Sequence, residues 1–400
     1  MCELGRLLFR AGRADLLERH GFPFPRYDFR QDLKQNESGP FSGGSVVDDH
    51  RAPAPGGPWT VLGQPIGVPI GIPACPLTMN ARWVSFYARQ GFNLLTYKTV
   101  RSVPRPALPD ANWYFADTDA APWEEADIGS AEVTAGPTVW PRSAHRFSTV
   151  NSFGVPSHDP AVWQPDVRRA MSALDADQLL LLSVMGNFED HRGEELASDF
   201  ARTAVLGAET GVRAIELNLS CPNGVADGRP LPAIYLDGDS VRSIVGAVRA
   251  ALGDSVALVV KVGYMPAERL RLSLGPVAHL VDGVAGINAL QLPVRDPTRS
   301  RPTFPGRLEA GVSGHPIGHL AVDFVRGLAA LREDVGVAFD ILAMGGATGV
   351  DEALRLFDAG ATAVQSASGA FFNPLLADEL AARVDRIPQG APAHEAHPPD

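Results

Sequence analysis

Short apolar runs recur along most of this chain, separated by stretches in which apolar residues return every three or four positions. The runs are 68–72 (VPIGI), 93–98 (NLLTYK), 179–184 (LLLLSV), 213–219 (RAIELNL), 256–262 (VALVVKV), 284–290 (VAGINAL), 338–343 (AFDILA) and 362–366 (TAVQS). Near-continuous runs of this length, rather than alternating ones, suit strands buried on both faces, as in a parallel sheet covered by crossover helices. The intervening stretches carry the helical period: Trp163, Val167, Ala170, Met171 and Leu174 form one stripe, and Val350, Ala353, Leu354 and Phe357 another. Eight strand–helix units predict an α/β fold, a closed (β/α)8 TIM barrel. A doubly wound sheet is the runner-up, but no GxGxxG follows the first run.

The rhythm also divides the chain. Residues 1–60 read as an N-terminal extension, with an amphipathic helix around 11–20 and a Gly/Pro-rich stretch through Gly57. Residues 61–387 read as the barrel. Within it, 101–150 is a long Pro- and Trp-containing insert after strand two, at the barrel end where substrate sites are built. Residues 388–400 read as a disordered tail.

Composition narrows the function. The chain has 400 residues, 45% hydrophobic and 20% charged, enough for one large core. Forty-six acidic residues against 35 basic ones give a net charge of −11, which offers no basic surface for nucleic acid. No apolar run approaches the ~20 residues of a membrane span. The first residues lack the unbroken apolar core of a signal peptide, so a cytoplasmic location is expected and a membrane partner is not. Three cysteines, Cys2, Cys75 and Cys221, make neither a disulfide framework nor a metal motif. Only three of the 35 basic residues are lysine: Lys34, Lys98 and Lys261. In a chain that prefers arginine, a lysine inside an apolar strand pattern asks for a specific reason.

The segment IELNLSCPNG, 215–224, carries the most chemistry. It sets Asn218, Ser220, Cys221 and Asn223 at a strand exit, on the catalytic face of a barrel. Asparagine offers both donors and an acceptor, which suits a heterocycle edge with C=O and N–H groups. A cysteine beside such amides can act as a general acid or base. Cys75 reads as packing. Glycine-rich turns follow strands seven and eight (AMGGATG, 343–349; QSASGAF, 365–371), and GVSGHP, 311–316, precedes a helix. Such turns let backbone N–H groups approach a phosphate.

With these motifs the chain resembles the dihydroorotate dehydrogenase family, including the flavin domain of dihydropyrimidine dehydrogenase, over roughly residues 60–385. The LNLSCPN segment is similar to the family motif whose Cys or Ser is the catalytic base. The resemblance implies Cys221 in that role and Asn218 and Asn223 touching flavin or pyrimidine, with the Cys form resembling the soluble class. TYKTV, 96–100, implies Lys98 and Thr99 near an FMN cofactor. TVNSFGVPS, 149–157, implies Asn151 on the substrate, with the backbone of Phe153, Gly154 and Val155 facing its carboxylate. VVKVGY implies Lys261 at the flavin N1/O2 edge, and GINALQ implies Asn288 as a fourth amide. Ala74, Asn187, Gly314, Gly345, Gly346, Ala367 and Ser368 are the further FMN contacts it implies.

The implied reaction joins dihydroorotate, or a similar dihydropyrimidine, to its C=C oxidised form by hydride transfer to flavin N5. The implied assembly is a homodimer with a pyrimidine-like substrate, and the electron acceptor is left open. Ala289, where the family has Ser or Thr, and Phe153, where the soluble class has Met, keep an alternative in play. That alternative is an FMN-dependent ene-reductase or dehydrogenase of specialised metabolism acting on a non-orotate cyclic substrate.

Overall fold

The computed structural model describes residues 27–29, 31–40, 59–109, 111–118, 122–139, 146–220, 225–226, 229–230 and 233–388. The helix expected around 11–20 and the tail from 389 onward lie outside the described residues, as do Cys221 and Asn223.

Eight parallel strands close a barrel: β1 (Ile70–Ile72), β2 (Leu94–Val100), β6 (Leu179–Val184), β7 (Ala214–Asn218), β8 (Ala257–Lys261), β9 (Gly283–Gly286), β12 (Asp340–Met344) and β13 (Ala363–Gln365). They neighbour one another in chain order, and β13 returns to pair with β1. Each falls on one of the eight apolar runs. The two helical stripes form helices Pro160–Ser172 and Val350–Asp358, with Trp163, Val167, Ala170, Ala353, Leu354 and Phe357 buried against the barrel. A hairpin, Trp59–Val61 with Gln64–Ile66, caps the strand-start end. There the Leu62 N–H donates to the Asp340 carboxylate at 2.6 Å.

The insert is more ordered than its composition suggests. It contributes β3 (Trp113–Asp117), β4 (Val133–Ala135) and β5 (Ser148–Asn151) to a second, five-stranded closed sheet. Its other two strands, β10 (Leu290–Arg295) and β11 (Glu309–Gly314), come from a second insert after barrel strand six. The apolar run 284–290 predicts a sixth barrel strand that reaches Leu290. The strand stops at Gly286, and Leu290 already belongs to the small barrel, paired antiparallel with Val312. The small barrel therefore sits over the strand-exit end of the large one.

Candidate active site

The strand exits of the large barrel and the inner edge of the small one enclose a single cleft. Its walls include Ala74, Lys98, Thr99, Asn151, Phe153, Gly154, Val155, Asn218, Lys261, Asn288, Gly314, Gly345, Gly346, Ala367 and Ser368. All these residues came from separate sequence motifs, and the barrel brings them together because strand ends converge on one face.

Three groups of atoms give the cleft its chemistry. The first is a chain of amides and hydroxyls across the exits of β2, β7 and β9. Asn218 donates to the Thr99 hydroxyl at 3.1 Å, and Thr99 meets the Ser183 hydroxyl at 2.9 Å. The Asn218 carbonyl accepts the Ser220 N–H and hydroxyl at 3.3 and 3.1 Å. Asn288 donates to the Ser220 hydroxyl and carbonyl at 2.9 and 3.2 Å. Ser220 is thus the hub that orients two amides, a role its neighbours in the motif obscured. Amides fixed in this way, Asn218 buried and Asn288 half-buried, keep one edge for a ligand at little entropic cost.

The second group is cationic. Lys261 ends β8 and is 2% exposed, yet its ammonium has no ion pair or hydrogen bond among the described residues. A buried ammonium without a partner is costly, and this one lines the cleft. Below it, burial holds the Glu216 carboxyl above the usual carboxylate range, with the Lys261 charge and Ser183 opposing the shift. Lys98 lies 5.1 Å from the centre of the Phe153 ring. Cys75 is part of the wall as well as of the packing. Burial pushes its thiol up to about 11, with opposing influences that include both lysines, so it is a neutral thiol at neutral pH.

The third group is backbone. The N–H groups of Phe153, Gly154 and Val155 donate to no acceptor among the described residues, and neither do those of Gly345, Gly346, Ala347, Ala367 and Ser368. Both sets border the cleft. In the second set the glycines permit a close approach. Gly346 has φ +73, and a Cβ there would fall 2.3 Å from the Gly318 Cα, at the start of α6 (Gly318–Val335). Gly314, φ +101, ends β11, and a Cβ there would meet the Phe147 carbonyl at 2.5 Å. Thr149 reaches across from the small barrel to the Ser368 hydroxyl at 2.7 Å.

One expected contact is not brought here. Asn187 is absent from the cleft walls. Its side-chain N–H groups go to Asp199 and Ser102 at 2.7 and 3.0 Å, and its carbonyl faces Arg101 at 3.4 Å, so its capacity is taken by the loop after β6. Conversely, Trp113, Thr149, Ser313, Gln365 and Ser366 line the cleft without having been singled out. Trp113 falls within the insert, where only composition marked it, and Thr149 opens the TVNSFGVPS segment, in which attention went to Asn151 and 153–155.

The family model described as dihydroorotate dehydrogenase matches residues 138–387. The dihydroorotate dehydrogenase of Dictyostelium discoideum is 30% identical over 360 residues, covering 88% of this chain and 95% of that protein. The catalytic subunit of dihydroorotate dehydrogenase B (NAD(+)) of Enterococcus faecalis (strain ATCC 47077 / OG1RF) is 28% identical over 190 residues, 46% of this chain and 55% of the subunit. Among solved structures, the DHODH of Eimeria tenella in complex with ferulenol superimposes with a TM-score of 0.60 at 17% identity, over 84% of this chain and 85% of that one, a likeness of fold. A match across more than half the chain, together with a relative that is 30% identical and 95% covered, assigns this protein to the dihydroorotate dehydrogenase family of oxidoreductases.

Proposed function

We propose that the cleft binds FMN and interconverts dihydroorotate, or a similar dihydropyrimidine, with its C=C oxidised form. The observation that carries the reading is the pairing of a buried lysine, Lys261, whose ammonium has no partner among the described residues, with a row of N–H groups at 345–347 and 367–368 that donate to none of them, across the same cleft. One end suits an electron-rich ring edge and the other a phosphate. The residues present therefore fit FMN, which when bound supplies a two-electron hydride acceptor at its N5 position.

The protein's own groups do the rest. Asn218 and Asn288, held by Ser220, offer donors and acceptors to the amide edges of a pyrimidine, and Asn151 and Asn223 complete the grip. The free N–H groups of 153–155 receive the substrate carboxylate. Lys261 holds positive charge where negative charge accumulates. Cys221 takes the proton from the ring carbon next to the one that loses hydride. Replacing Cys221 with Ala is expected to leave FMN bound and lower turnover by roughly 10²–10⁴-fold; an unchanged rate removes Cys221 from the role.

A second reading rests on Ala289, which lines the cleft without a hydroxyl beside Asn288. It keeps FMN but exchanges the pyrimidine for another unsaturated cyclic substrate. Anaerobic mixing with dihydroorotate separates the two. Bleaching of the flavin band supports the pyrimidine; a protein that stays yellow supports the alternative; a protein that cannot be loaded with FMN defeats both.

A further inference from the structure

Arg101 follows β2 directly and has no exposed side-chain surface. Its Nε–H donates to the Val155 carbonyl at 3.1 Å. Its two terminal nitrogens meet the two Glu189 oxygens at 2.7 and 3.1 Å, a fork against a carboxylate. One of them also faces Asn187 Oδ1 at 3.4 Å and the Gly186 carbonyl at 3.5 Å, and the guanidinium lies 5.5 Å from the centre of the Phe188 ring. Glu189 additionally pairs with Arg105 at 3.2 Å. The Arg101 N–H donates to the Ser157 hydroxyl at 3.0 Å, and Arg105 and Ser157 exchange backbone bonds of 2.8 and 2.9 Å. The exit of β2 is thus stitched to the segment 153–157.

That segment is strained. Val155 has φ +48 and Gly154 has φ +76. Glycine takes this region freely, but a β-branched residue there is an outlier that its surroundings must hold. Relaxing Val155 to an extended conformation would turn its peptide planes, and with them the free N–H groups that border the cleft. The carbonyl grip of Arg101 opposes that turn. Neither Arg101 nor Glu189 lines the cleft.

We propose that Arg101, fixed by Glu189, is a positioning residue that holds 153–155 as a carboxylate-binding nest and so sets the preference for anionic over neutral rings without touching the ligand. This rests on the pyrimidine reading above. The nest is a concavity of successive N–H groups, and its anion affinity depends on their shared direction. Lysine cannot replace the fork, because it is a point charge with no planar geometry.

The test is equilibrium binding of orotate and of orotamide, its neutral amide, to FMN-loaded protein, read from the flavin absorbance change. Arg101→Lys is expected to keep FMN and to weaken orotate by roughly tenfold or more while changing orotamide little. Adding Val155→Gly is expected to recover part of the loss, since glycine needs no holding at positive φ. Where R101K does not fold, Glu189→Gln, which keeps the shape of the fork partner but loses its charge, carries the same expectation. An unchanged orotate affinity, equal losses for both ligands, or no recovery in the double variant overturns the proposal. Wild-type protein that binds neither ligand overturns the pyrimidine reading first, and the inference with it.

Discussion

Glu216 is the least comfortable residue in the barrel. It is fully buried, and neither carboxyl oxygen has a close hydrogen-bond partner among the described residues. Ser183 lies across the ladder from it and opposes the shift, while its hydroxyl also meets that of Thr99 at 2.9 Å. Burial raises the carboxyl from its ordinary 4.5, so the folded state holds a proton that the unfolded chain releases. A raised carboxylate contributes stability at low pH that is lost as pH climbs through the folded value. As pH rises above the ordinary 4.5, the wild-type Tm is therefore expected to fall more steeply than that of Glu216→Gln, which cannot ionise. Parallel slopes would show Glu216 to be ionised throughout. Its neighbour Lys261, whose charge opposes that shift, has no side-chain ion pair or hydrogen bond of its own among the described residues. Lys261→Met is expected to raise the Tm of FMN-free protein, since the unpaired ammonium disappears. It is also expected to lower the reduction potential of bound FMN by on the order of 30 mV or more, the two-electron equivalent of a tenfold loss. A potential that does not move would place Lys261 away from the reduced ring. Lys261 was legible in the sequence as an oddity within an apolar strand pattern; Glu216 was not marked there. Arg101 and Glu189 were not, because 88 positions separate them and nothing local distinguishes either from a surface residue.

At the level of elements, the eight barrel strands were legible because each is a compact apolar run, and burial on both faces leaves no competing pattern. The five strands of the small barrel were not. Three lie in one insert and two in another, and partners such as Val133 and Val294 meet only through tertiary folding. Their short stretches, in which buried residues alternate with half-buried or exposed ones over three positions in β4 and six in β10, carry too few residues to stand out from loop. The glycine turns were legible by type, and the structure supplies their reason. At Gly346 the exit of β12 crosses the start of α6 so closely that a methyl group would fall 2.3 Å from the Gly318 Cα. Gly346→Ala is therefore expected to cost roughly 1–3 kcal/mol from overpacking, with a further penalty for its positive φ. The two elements must part, so the N–H row at 345–347 loses its aim and FMN retention falls with the Tm. An alanine variant with full FMN content would show that the row is not a phosphate cradle.

The whole molecule places its cleft between two closed sheets. The large barrel supplies Lys98, Asn218, Lys261 and the turns after β12 and β13, while the small barrel supplies Thr149, Asn151, Ser313 and Gly314. The sheets are joined at this level by side chains as well as by the chain itself, since Thr149 on β5 meets Ser368 at the turn after β13. A ligand that touches both walls binds only when they are docked, so its binding free energy becomes docking free energy. For FMN at about a hundredfold excess over its Kd, linkage predicts ~2.7 kcal/mol of added stability. The distribution of that gain is the informative part. If the cofactor bridged only the turns of the large barrel, hydrogen exchange would slow at 344–369 alone on adding FMN to FMN-free protein. A cleft shared by both sheets predicts slowing at 148–155 and 309–314 as well, with one thermal transition moving upward as a unit. Exchange that changes on one wall alone, or a second transition that FMN leaves in place, would mean that the small barrel is a cover laid on a site already complete without it.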